Sequence, residues 1–290
     1  MKTNEAYDDQ MTTKSNSQGD QAMTSKRFDP SKFTTNKVRP LPVVLLLDVS
    51  GSMNEVISDP YERTGETIVE DGQTWEVVKG GVSRIQVLNQ AVTEMIASFA
   101  KEEQLEHEFL VSVVTFGASV NIHLPPTKAS RVDWTPLSAA GATPLGEAIA
   151  TAKRLVEDKE ATPSRAYRPV VVLVSDGRPT DRWEASLDSF VGTGRSTKCD
   201  RMALAIGTGT DEAMLQKFID GTSNPLFHAA DAKQILDAFQ RVTMSVTARS
   251  KSKDPNQLPG LQTPPAVSAA IGGAVGENPS AGAGSDDGYW

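Results

Sequence analysis

The sequence predicts an α/β fold: an open, doubly wound, mainly parallel sheet of Rossmann-like type, with helices on both faces and one antiparallel edge strand. Three observations predict it. Four short β-branched or leucine-rich runs are apolar at successive positions, as strands covered on both sides must be. Stretches of helical periodicity separate them. Each run stops at a polar or glycine-containing turn.

The first run is PVVLLLDV (42–49), ending in the polar stretch DVSGSM. A helix is predicted from about Ser83, where Ser83 and Gln86 match a capping box and Leu88, Val92, Met95, Ile96 and Phe99 form one apolar stripe. Between them, residues of about 54–82 carry TIVEDGQTWEVV, two β-prone runs around Asp71-Gly72, a strong two-residue hairpin signal. The hairpin is expected to stand over the C-terminal end of the first strand, the edge where open α/β sheets bind ligands.

FLVSVVTFG (109–117) is the second run, and SVNIHL (119–124) is predicted to pair antiparallel with it at the sheet edge. ATPLGEAIATAKRLVED opens the next helix, with Leu145, Ile149, Ala152 and Val156 inward; Thr143-Pro144 reads as N-cap and first helical residue. RPVVVLVSDG and RMALAIGTG supply two more strands, and further helices are expected near 182–191, 211–220 and 231–247. GTGTDE (207–212) lacks the spacing of a nucleotide-binding glycine loop and reads as a helix cap at Thr210 or Asp211.

Composition bounds the function. The 290-residue chain has a formal net charge of -8, with 23% charged and 38% hydrophobic residues. An acidic balance disfavours nucleic acid or an anionic membrane as the partner. No run approaches the ~20 apolar residues of a membrane span, and the first twenty residues lack the apolar core of a signal peptide. A cytoplasmic protein is expected. The single cysteine, Cys199, precludes an internal disulfide framework and is expected to pack. His107, His123 and His228 show no metal-binding spacing. Residues 1–37 and the Pro/Gly/Ala/Ser-rich tail 249–290 are predicted to be disordered, flanking one domain at 38–248.

Three loops on the predicted ligand edge offer oxygen donors: Asp48, Ser50 and Ser52 in the first, Thr143 in the second, Asp176 in the third. Hydroxyls and carboxylates without His or Cys suit a hard cation such as Mg²⁺. Alternating donors converge if the chain turns there, a turn that Gly51 would permit. Each element alone has a plainer reading, as a turn or a helix start. Their joint occurrence, in order, on strand-end loops points to one site.

Asp48-x-Ser50-x-Ser52 with the Thr143 and Asp176 loops resembles the metal-ion-dependent adhesion site (MIDAS) of von Willebrand factor type A (vWA) domains, over about residues 38–248. RPLPVVLLLDVSGSM, GATPLGEAI and SDGRPTDRW are most similar to the bacterial tellurium-resistance (TerY-like) branch. The inserted hairpin and long tail depart from its compact form. The resemblance implies that Asp48, Ser50, Ser52, Thr143 and Asp176 hold Mg²⁺ (or Mn²⁺), directly or through water. It further implies a non-enzymatic adaptor that docks an Asp or Glu of a protein partner, such as a kinase or phosphatase of a stress-response system. A Mg²⁺-dependent phosphohydrolase, and a module whose metal only staples loops, are the rival readings.

Overall fold

The computed structural model describes residues 38–58, 61–70, 73–103, 107–252 and 256. The expected disorder of 1–37 and of most of 249–290 lies outside these residues. The described chain runs β1 (Pro40–Asp48), β2 (Tyr61–Glu70), β3 (Gln73–Gly80), α1 (Arg84–Glu103), β4 (Glu108–Phe116), β5 (Val120–Lys128) and α2 (Leu145–Glu157). It continues through β6 (Val170–Ser175), α3 (Glu184–Gly192), β7 (Asp200–Ile206), α4 (Glu212–Ile219), β8 (Leu226–Ala229) and α5 (Ala232–Ser250).

Six strands form one sheet in the order β5-β4-β1-β6-β7-β8. All neighbours are parallel except β5, which pairs antiparallel with β4. This is the predicted mainly parallel sheet with its antiparallel edge. Because side chains alternate across a strand, β1 feeds two cores. Val43, Leu45 and Leu47 pack with α1 and α5 on one face, while Val44 and Leu46 pack with α2, α3 and α4 on the other. The stripe predicted for α1 is buried, and Phe99 stacks on Phe109 of β4 with centroids 4.5 Å apart. Central β1 therefore presents its C-terminal end in the middle of the sheet edge, in a rigid setting.

Three expectations are corrected. Strand β8 went unpredicted: it has four residues, and exposed His228 interrupts its apolar character. Helix α5, expected near 231–247, continues to Ser250, and Arg249 in its last turn is 2% exposed and donates to the Arg168 carbonyl. Thr143 is not the N-cap of α2. Pro144 holds that position, and the distant Asp181 carboxylate accepts from the amides of Gly146 (2.8 Å) and Glu147 (3.0 Å) instead.

The hairpin forms as predicted, β2 antiparallel to β3 in a separate two-stranded sheet. Its two ends meet, since Val56 bridges Ser83 and the Ile57 amide donates to the Val82 carbonyl at 2.9 Å. Cys199 is buried among apolar side chains, and burial pushes its thiol up to about 12. Asp211 caps α4 through the Met214 amide. Trp183 packs against the α2–α4 core, with the Lys217 ammonium 5.3 Å from its ring centre. Among the described residues no helix is long and apolar enough to cross a membrane.

Candidate functional site

Where β1 ends, the chain turns through a short 3-10 helix, Gly51–Asn54, entered from an extended Ser50. Gly51 has no left-handed backbone, and a Cβ there would meet its nearest neighbour at an ordinary 3.7 Å. The expectation that Gly51 enables the turn is therefore wrong; the 3-10 geometry supplies it. The Asp48 carboxylate folds back over this turn. One oxygen accepts from the Ser50 amide at 2.9 Å, the other from the Ser175 hydroxyl at 2.7 Å.

The turn swings the two serine hydroxyls together, Ser50 Oγ to Ser52 Oγ 3.0 Å. Ser52 Oγ also donates to Asp176 Oδ1 at 2.7 Å, joining the end of β1 to the loop after β6. Thr143 arrives from the loop before α2 and is positioned by its backbone. Its amide donates to Thr180 Oγ1 at 3.1 Å, and its carbonyl accepts from the Thr180 amide at 2.9 Å. A Cβ built on Gly177 would lie 3.6 Å from Thr143 Oγ1 and 3.9 Å from Ser52 Oγ, so both hydroxyls border that position. Ser50, Ser52, Thr143 and Asp176 line one cavity of about 610 Å³, with Trp75 of the hairpin and Arg178 on its wall. Asp48 lies buried beneath, behind Ser50.

The electrostatics follow from burial. Loss of solvation, reinforced by the negative charge of Asp176, pushes Asp48 up to about 7 despite its hydrogen bonds. Burial also raises Asp176, against the opposing pull of Ser52 and Arg84. Two buried acids destabilised as anions form a place where a cation is favourable. The donor set fits a hard divalent ion in a second respect. Six oxygens around Mg²⁺ at ~2.1 Å have neighbours about 3 Å apart, and the two serine hydroxyls are spaced at 3.0 Å. Among the described residues no group of three His, Cys, Asp or Glu side chains is arranged for a metal, so hydroxyls are integral to this site.

Sequence reasoning missed several participants. Ser175, the last residue of β6 and next to Asp176, is oriented by strand alternation toward Asp48, a role its neighbour's prominence hides. Arg84 and Glu55 flank the site. Arg84 Nη1 donates to Asp176 Oδ2 at 3.0 Å, and its Nη2 lies 2.7 Å from Glu55 Oε2. A basic residue at a helix start carries no sequence signal for this.

Residues 43–178 match the von Willebrand factor type A domain family. No curated protein matches the sequence. Among solved structures, a von Willebrand factor type A protein from Catenulispora acidiphila is 16% identical with a TM-score of 0.50, over 71% of this chain and 42% of that one. Proximal thread matrix protein 1 of the mussel byssus is 14% identical with a TM-score of 0.50, over 72% of this chain and 48% of that one. A further structure of the mussel protein, with zinc in its MIDAS motif, is 15% identical with a TM-score of 0.48, over 71% of this chain and 45% of that one. The chain thus spans less than half the length of each. At these identities the first two likenesses are of fold.

Proposed function

We propose that this von Willebrand factor type A domain is a metal-dependent protein-binding module rather than an enzyme. In this reading Asp48, Ser50, Ser52, Thr143 and Asp176 hold Mg²⁺ or Mn²⁺, directly or through water. The bound ion supplies a Lewis-acidic position, kept electrophilic by a mostly uncharged donor set, that an Asp or Glu of a protein partner completes. One observation carries the proposal: the Ser50, Ser52 and Asp176 oxygens stand in a chain of 3.0 and 2.7 Å contacts within a single solvent-reachable cavity.

The chain's own residues argue against hydrolysis. A nucleophilic aspartate must reach its substrate, and Asp48 is fully buried behind Ser50, off the cavity wall. Ser50 stands where a phosphohydrolase of this topology would place its second carboxylate, and among the described residues no His or Lys lines the cavity. Trp75 and Arg178 on the cavity wall favour an acidic segment with an apolar neighbour as the docked element. A signalling partner, such as a kinase or phosphatase of a bacterial tellurium-resistance or stress-response system, rests on the sequence resemblance.

Titration calorimetry with Mg²⁺ and with Mn²⁺ tests the metal, comparing wild type with Asp48→Ala and Ser52→Ala. Both variants should lose binding while near-ultraviolet circular dichroism keeps the folded signature. Undiminished binding by both would overturn the assignment. Capture of a partner by immobilised protein should be abolished by EDTA and restored by Mn²⁺, and turnover of generic phosphoesters would instead favour the hydrolase.

A further inference from the structure

Arg84 is the first residue of α1 and is 8% exposed, an unusual setting for arginine unless it is paired. Its guanidinium bridges Asp176 (3.0 Å) and Glu55 (2.7 Å). Two further features hold it there. The Arg84 amide donates to the Glu55 carbonyl at 3.0 Å, so the two partners are also tied through the backbone. At the end of β7, Gly207 has φ +71°, and a Cβ there would overlap the guanidinium, 3.0 Å from its central carbon. The fold therefore reserves space for this cation, between two carboxylates, Asp176 and Glu55.

We infer that Arg84 is a resident cation that holds Asp176 and keeps the affinity of the site for divalent metal low. The inference rests on the metal reading above. A divalent ion arriving at Ser50 and Ser52 shares Asp176 with a guanidinium already hydrogen-bonded to it. The Asp176 charge is partly neutralised in advance, and like charges repel where little water screens them. The effect belongs to the charge of Arg84 as well as to its place in the fold. Replacing it by a neutral residue should tighten metal binding; Lys, which keeps the charge, should bring the affinity back toward wild type.

The test is calorimetric titration with Mn²⁺ of the full chain as wild type, Arg84→Gln, Arg84→Lys and Ser52→Ala. Arg84→Gln should bind at least about tenfold more tightly, the scale of one nearby charge in a partly buried site. The gain should persist at high salt because buried charges are poorly screened. Arg84→Lys should recover most of the wild-type weakness. Equal or weaker binding by Arg84→Gln, with wild type binding and Ser52→Ala not, overturns this inference and leaves the metal site standing. Absence of binding by both wild type and Arg84→Gln, or undiminished binding by Ser52→Ala, overturns both. Should Arg84→Gln fail to fold, Gly207→Ala displaces the guanidinium and keeps every carboxylate. It should also tighten binding, and unchanged affinity in that variant overturns the inference.

Discussion

The amide of Gly51 donates to the carbonyl of Gly141 over 2.8 Å, tying the serine-bearing turn to the loop that ends in Thr143. Ala140 adds a second link through its amide to the Val49 carbonyl at 2.8 Å. Gly141 adopts φ +82°, and a Cβ there would overlap the Ala118 backbone. Gly141→Ala is therefore expected to cost about 1–3 kcal/mol, from left-handed strain and the displaced loop. It should weaken Mn²⁺ binding as well, since Thr143 moves with the loop. Thermal unfolding and calorimetry check the two effects separately.

Asp181 is the cap of α2, although 35 positions separate it from Gly146. Asp181→Ala leaves two amides at the helix start without this acceptor and should cost about 1 kcal/mol, the usual worth of a cap. The loop carrying Thr143 also loses an anchor. A melting temperature lowered with metal affinity reduced less than in Thr143→Ala would match this indirect role.

The sheet was legible because β1, β4, β6 and β7 are covered on both faces, and such strands leave unbroken apolar runs. The hairpin was legible through its two β-prone runs around Asp71-Gly72, a pair that lies outside the described residues, and the gathering of Ser50, Ser52, Thr143 and Asp176 at one cavity through their oxygen chemistry and loop positions. Other features were hidden for identifiable reasons. Thr143-Pro144 satisfies the local rules for a helix start, whereas the acceptor comes from across the fold. β8 is held by its pairing with β7 rather than by its own four residues. Arg84 enters the site because Gly207 is vacant of a side chain, a relation across 123 positions that no local pattern encodes.

Glu157 gives a pH signature away from the site. Burial pulls its carboxyl upward, but the amides of Arg195 and Ser196, with Lys153, outweigh burial and hold it down at about 2. A depressed acid binds its proton more weakly folded than unfolded. Its contribution is complete above the unfolded value near 4.5 and is lost as pH falls through about 2. Urea unfolding of wild type and Glu157→Gln should differ most at pH 7, with the gap narrowing steadily by pH 3. A gap constant with pH would assign the effect to packing.

The hairpin ends meet at the Val56–Ser83 bridge, so replacing residues 61–79 by a short linker leaves that closure intact. Loop length itself costs little. The melting temperature should shift by a few degrees at most, while partner capture changes because Trp75 leaves the cavity wall. A large fall in melting temperature would make the hairpin part of the core.

Cys199 is 5% exposed with its thiol pushed up to about 12, and the chain has no other cysteine. Alkylation needs a thiolate in contact with solvent, so a native molecule hardly reacts and an opened one reacts at the ordinary rate. The chain thus carries a single-atom reporter of its own breathing. The speed at which one equivalent of iodoacetamide is consumed reads the open fraction around β7. Since an ion held at the β1 and β6 loops would favour the closed ensemble by mass action, added Mn²⁺ should slow that labelling, giving a measure of occupancy without a probe introduced by mutation.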